Sequence, residues 1–178
     1  MAVIHWSPTT NVTNMKKIAL ALSLLAIAAM ATADDYKAIA RQHGKEFDQA
    51  MLKEDMTWFD RTATKDFFEI DGRGRKIGRK EALETMKQGF QMMAVKKSSS
   101  RVVSVKPTKD GFTAIVVSDM VADMPMPNQK KPSKWVSQFK AEENYVKVGS
   151  AYKMRSLKHL GMKSILDGKP FDPMAGGK

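Results

Sequence analysis

Cysteine is missing from the 178 residues, so no disulfide can brace the fold, no thiolate can hold zinc, and stability must come from packing. Histidine is scarce at three, and neither His43 nor His159 has a serine or a second histidine at motif spacing. Nucleophilic triads and histidine metal sites are therefore unsupported, and no metal or cofactor is expected. Long apolar runs are lacking too: the longest, residues 18–30, falls short of the roughly 20 residues a bilayer-spanning helix needs. Acids are outnumbered, 19 Asp and Glu against 30 Lys and Arg, for a net charge of +11. Stacking aromatics are absent from the basic clusters Arg73, Arg75, Lys76, Arg79, Lys80 and Lys130, Lys131, Lys134. These clusters read as solubilising surface, and no nucleic-acid partner is expected.

What stands at the N-terminus reads as a leader. Met15, Lys16 and Lys17 form a positive start, residues 18–30 an apolar stretch, and Ala31-Thr32-Ala33 the small residues that signal peptidase recognises. The expected organisation is a leader over 1–33 with its signal peptide at 15–33, an α+β domain over 34–163 and a loose C-terminal tail over 164–178. Export to a periplasmic or secreted location follows, without stable membrane insertion after cleavage. Removing 33 of the 178 residues leaves 145, a common size for one domain with one core. Lys16 and Lys17 leave with the leader, so +11 becomes +9.

From Asp35 the apolar residues Tyr36, Ile39, Ala40, Phe47, Ala50 and Met51 recur at three- and four-residue spacing, which predicts an amphipathic helix ending near Lys53. Asp55 is placed to cap a short second helix with Trp58 and Phe59. Residues 67–70 read as a strand, Asp71-Gly72-Arg73-Gly74 as a tight turn and Lys76-Ile77 as the returning strand. A third helix from Arg79 carries the stripe Ala82, Leu83, Met86, Phe90 and Met93. Beyond Ala94, β-branched residues and regular turns predict four antiparallel strands, at 101–106, 112–123, 135–147 and 151–160. The fold class is α+β: a curved, mostly antiparallel sheet wrapped around three N-terminal helices.

The succession of amphipathic helix, Glu54-Asp55 break, short helix with Trp58 and Phe59, then Asp66-Phe67-Phe68-Glu69-Ile70-Asp71-Gly72-Arg73-Gly74 and Gly78-Arg79-Lys80-Glu81-Ala82-Leu83 resembles the SnoaL-like, nuclear transport factor 2-like superfamily. The resemblance covers nearly all of residues 35–160. It implies a cystatin-like cone whose sheet wraps a long helix and leaves an apolar pocket at the open end. Members of that superfamily include isomerases, cyclases, hydrolases and dehydratases as well as noncatalytic binding and dimerisation modules, so the likeness implies a fold and no one chemistry.

Two carboxylates are candidate catalytic groups. Glu143 shares a face with Trp135, Ser137, Phe139, Ala141 and Tyr145 by period two, and Asp119 shares one with Ile115, Val117 and Val121. An apolar wall around either would shift its pKa and suit it to proton transfer. Trp58, Phe90, Trp135, Phe139 and Tyr145 are expected to line or border the pocket. Met120, Met124 and Met126 beside the proline loop read as flexible apolar filler. The first expectation for function is a homodimeric module binding a small apolar or amphipathic molecule; the alternatives are an isomerase, dehydratase or hydrolase using a pocket carboxylate, and an interaction module with a filled cone. An open apolar cavity containing one of the two named acids would favour the enzyme.

Overall fold

The computed structural model describes residues 32–127 and 129–171, so the leader expected over 1–33 lies almost wholly outside the described residues. The chain there begins with α1 (Ala33–Lys53), whose first turn carries Asp34 and Asp35 and whose last carries Lys53, charges that complement the helix dipole at both ends. Glu54 then turns left-handed at φ 55° and the Asp55 N–H reaches back to the Ala50 carbonyl at 2.9 Å, the C-terminal wrap that satisfies a final helical carbonyl. The Asp55 carboxylate accepts from the Thr57 N–H at 2.9 Å and opens α2 (Thr57–Thr62). That short helix buries Trp58, Phe59 and Thr62 and runs straight into β1 (Ala63–Ile70).

The hairpin after β1 forms as its Asp-Gly chemistry requires. The Asp71 carboxylate accepts from the N–H groups of Arg73 and Arg75 at 2.9 and 2.8 Å, and Gly74 takes φ 80°. β2 (Lys76–Gly78) returns and releases α3 (Arg79–Met92), which buries Ala82. Four long strands follow: β3 (Ala94–Thr108), β4 (Gly111–Met124), β5 (Ser133–Val148) and β6 (Ala151–Leu166), with a two-residue β7 (Lys169–Pro170).

The strands make one mixed, unclosed sheet in the order β2-β1-β6-β5-β4-β3, with β7 paired to β6. Every pairing is antiparallel except β1 with β6, which is parallel. The helices cover the inner face of this curved sheet, and α1 packs chiefly along β3. The α+β class and the mostly antiparallel sheet expected from the sequence are the architecture observed.

Two elements differ from expectation. β3 begins seven residues before Arg101, through the polar run Lys96-Lys97-Ser98-Ser99-Ser100. It is the outermost strand, so its side chains need not be apolar, and charged residues suit an exposed edge. The tail is shorter than residues 164–178: β6 continues to Leu166, then Asp167 and Gly168 at φ 49° and 80° form a two-residue turn into β7. Lys134 N–H donates to the Asp167 carboxylate at 2.8 Å and fastens that turn to β5. Residues 172–178 lie outside the described residues.

Asp48 ties α1 to the edge strand. Its carboxylate accepts from Ser98 Oγ at 2.7 Å, the Ser100 N–H at 2.8 Å and Ser100 Oγ at 2.9 Å. The helix can come this close because Gly44 faces the strand, where a Cβ would already stand 3.1 Å from that of Ser100. Hydrogen bonds to a charged group are worth about 1.5–3 kcal/mol each before overlap, so Asp48→Ala should cost about 2–3 kcal/mol in urea denaturation. A cost below about 0.5 kcal/mol would show that water replaces the carboxylate freely.

The core is organised by an aromatic column. Tyr36 stacks on Phe112 at 4.8 Å between ring centroids, Phe112 stacks on Tyr145 at 4.7 Å, and His43 leans on Tyr145 at 4.9 Å. Tyr36 and His43 lie two turns apart on α1 and so grip the two strand aromatics between them. A second chain of edge contacts runs Phe47, Trp58, Phe59, Phe67. Phe112 and Tyr145 are the largest fully buried side chains, at 0% and 2% exposure.

Candidate functional site

Between these two aromatic groups lies a cavity of about 90 Å³. Phe47, Trp58, Phe59, Phe67, Met86 and Met154 supply apolar wall, and the polar groups of His43, Glu69, Ser100, Ser118, Glu143 and Tyr145 meet it. The alternation on β5 holds as the sequence suggests: Ser133, Trp135, Ser137, Ala141 and Tyr145 are buried on one side, with Lys134, Val136, Gln138, Lys140 and Glu142 exposed on the other. Glu143 falls on the inward side, half-buried, and reaches the cavity.

The Tyr145 hydroxyl donates to the Glu143 carboxylate at 2.6 Å. Loss of water pushes the Glu143 carboxyl up to about 7, against the weaker downward pull of that hydrogen bond. Burial and the adjoining carboxylate drive the Tyr145 phenol well above its ordinary range, so it stays a donor. Near neutrality Glu143 thus divides between acid and base forms.

A second carboxylate faces the same space. Glu69 on β1 and Glu143 on β5 both pair with Leu157 on β6, which puts the two backbones roughly 10 Å apart, two strand spacings of about 4.8 Å. Glu69 Oε1 lies 2.5 Å from His159 Nε2, and the His159 ring meets Phe139 edge-on at 4.5 Å. His43 Nε2 lies 3.1 Å from the Tyr152 carbonyl. A carbonyl only accepts, so Nε2 carries the proton and Nδ1 presents its lone pair. Burial lowers the His43 pKa, which keeps the ring neutral in that tautomer.

Of the residues expected at the pocket, Trp58, Phe139, Tyr145 and Glu143 line it. Trp135 is buried on the same face of β5 but lies farther along the strand, and Phe90 is half-buried on α3; neither lines the cavity. Asp119 does not reach it. It pairs with Gln138, whose Nε2 donates to the Asp119 carboxylate at 2.8 Å, and both belong to the outer face with Lys97, Val136 and Ile165. Nor does Asp119 oppose Glu143, which pairs with Ala114 five residues along β4. The pleat decides this, since residues of opposite parity on β4 point to opposite faces.

His43 and Glu69 line the cavity and His159 touches Glu69, and motif spacing reveals none of the three. His43 had one usable signal, its place on the α1 stripe four residues before Phe47. Among the described residues, no group of three or more histidine or acidic side chains is arranged to hold a metal ion. No helix among them is long and apolar enough to cross a membrane.

No protein-family model and no curated protein matches the sequence. The fold does match solved structures. A conserved protein from Planctomyces limnophilus superimposes with a TM-score of 0.57 at 10% identity, over 72% of this chain and 95% of that one. A hexachlorocyclohexane dehydrochlorinase of type 2 gives 0.54 at 9% identity, over 79% and 92%. A candidate dehydratase of the NTF2-like family from Streptomyces avermitilis gives 0.53 at 15% identity, over 72% and 97%. The chain shares the fold of these solved structures, one of which is named as NTF2-like.

Proposed function

We propose that the cavity is a proton-transfer site for a small, mostly apolar molecule, with Glu143 as the group that takes and returns the proton. One observation carries this: a carboxyl raised to about 7 stands in an apolar cavity, held by a tyrosine hydroxyl. A general base is most effective when its pKa lies near the working pH, and burial has brought Glu143 there. This puts chemistry ahead of binding alone. Two fold neighbours are named for eliminations, a dehydrochlorinase and a candidate dehydratase, and elimination removes a proton from carbon. At their identities the likeness supports the fold only, so the proposal stands on Glu143.

In the reaction envisaged, ionised Glu143 takes a proton from a carbon made acidic by a neighbouring carbonyl or leaving group. The C–H electron pair moves toward that group, which departs or is held as an enolate. Glu69, one strand beyond Leu157 and in contact with His159, is the second carboxylate that faces such a ligand.

Deuterium exchange tests this without knowledge of the substrate. Incubated in D2O with a panel of small ketones, the protein should speed C–H exchange, read by proton NMR, with a rate that rises through a midpoint near the Glu143 value of about 7. Glu143→Gln should lose at least about 100-fold of that rate, the lower end of what a positioned base contributes. Equal exchange by wild type and variant would remove Glu143 from the chemistry, and panel members that bind without exchanging would return the site to binding.

A further inference from the structure

Five buried polar side-chain atoms among the described residues have no hydrogen-bond partner, and two of them, His43 Nδ1 and Trp58 Nε1, belong to residues that line the cavity. Their chemistry is complementary. Trp58 Nε1–H can only donate, and His43 Nδ1 can only accept because Nε2 holds the proton against the Tyr152 carbonyl. Yet they do not bond to each other. Phe47, one turn beyond His43 on α1, has its ring 5.4 Å from that of Trp58, so all three residues meet the same cavity. Each ring is also pinned: His43 against Tyr145, and Trp58 against Phe47 and Phe59.

An unpaired buried donor or acceptor costs free energy, and two in one cavity are satisfied together by one group that accepts and donates at once. We infer that the ligand of this cavity is a small neutral alcohol, or a molecule with an equivalent hydroxyl, whose oxygen accepts from the Trp58 indole N–H and whose proton goes to His43 Nδ1. Its remainder is apolar, to suit Phe59, Phe67, Met86 and Met154. It carries no negative charge, because Glu69 and Glu143 both face the space. It is also small, since the cavity measures about 90 Å³ and only the part inside the mouth need fit. This deepens the reading of the cavity as a ligand site and does not depend on Glu143 moving a proton.

The test titrates the ¹⁵N-labelled full chain with three probes of like shape: cyclopentanol, methylcyclopentane and cyclopentyl methyl ether. The Trp58 indole N–H and the two His43 ring nitrogens are followed by NMR. Cyclopentanol should shift both the indole signal and Nδ1 and bind at least about tenfold more tightly than methylcyclopentane, the scale of one satisfied buried hydrogen bond. The ether, an acceptor only, should shift the indole signal and leave Nδ1 largely unmoved. Binding is read without any exchange reaction, so equal binding of alcohol and hydrocarbon would count against the inference whether or not exchange is seen. Trp58→Phe and His43→Phe should erase the preference, and if either fails to fold the wild-type shifts still decide. Equal binding of alcohol and hydrocarbon, or no shift at either ring with excess cyclopentanol, would overturn the inference and leave water as the group between the two nitrogens.

Discussion

Glu143→Gln should stabilise the protein at pH 8 by up to about 3 kcal/mol while changing little at pH 4. The sign follows from where the proton sits in each state. Unfolded, the carboxyl titrates at its ordinary value of 4.5; folded, it keeps its proton until about 7. Its contribution to stability is therefore fully present below about 4.5, declines as pH rises toward 7, and has become a constant penalty above that. Each pKa unit is worth about 1.36 kcal/mol, and the figure is an upper value because the residue is only half-buried. Glutamine stays neutral throughout and still accepts from the Tyr145 hydroxyl. Asp55, Asp66, Asp71 and Asp167, all held below their ordinary range by hydrogen bonds, weaken both proteins alike as pH falls through their folded values. The difference between wild type and variant in urea at pH 4, 6 and 8 thus isolates Glu143. Parallel curves would mean that its carboxyl is well hydrated.

Gly111→Ala should be more damaging still, costing over about 3 kcal/mol against a typical total of about 5–15. A Cβ at that position would stand 2.1 Å from the Tyr145 carbonyl oxygen, 3.0 Å from its carbon and 3.1 Å from the Val146 Cα. All three are backbone atoms in the β4–β5 ladder, where Gly111 pairs with Val146 and the Lys147 N–H donates to the Asp110 carbonyl at 3.0 Å. No side chain can swing aside, so the strands must part. Gly78, with open space where its Cβ would be, is the control: Gly78→Ala should cost below about 1 kcal/mol. Thermal melts of the two variants decide the matter, and equal shifts in Tm would refute the close-approach account. Because β5 carries both Tyr145 and Glu143, a folded Gly111→Ala protein should also show a displaced Glu143 titration.

Helices and turns were legible in the sequence because their signals are local. The stripe of Tyr36, Ile39, Ala40 and Phe47 specifies α1, and Asp71 with Gly74 specifies the hairpin after β1. The start of β3 was not legible, since Ser98 and Ser100 are held by the ladder to β4 and by Asp48, some fifty residues earlier in the chain. The Asp167-Gly168 turn carried a readable signal, but it stands so near the C-terminus that it passed for part of a loose end.

The site divides in the same way. Period two along β5 identified Glu143, because one face of that strand is apolar and the other charged. β4 is apolar on both faces, so alternation could not say whether Asp119 pointed in or out. Glu69 and His159 meet only through the parallel pairing of two strands nearly ninety residues apart, which no local pattern encodes.

That parallel pairing also governs the order in which the protein can fold. β1 has a short hairpin partner on one side, and on the other it waits for β6. Until the ribosome has released most of the chain, β1 exposes an unpaired edge and the cavity lacks its Leu157 floor. The antiparallel run from β3 to β6 joins neighbours in sequence and can zip up by local steps, whereas docking β1 closes a large loop and bears that loop's entropy. The slow, final event should therefore be the arrival of β1 with its helices on a meander already formed, so that the chain completes its cavity last.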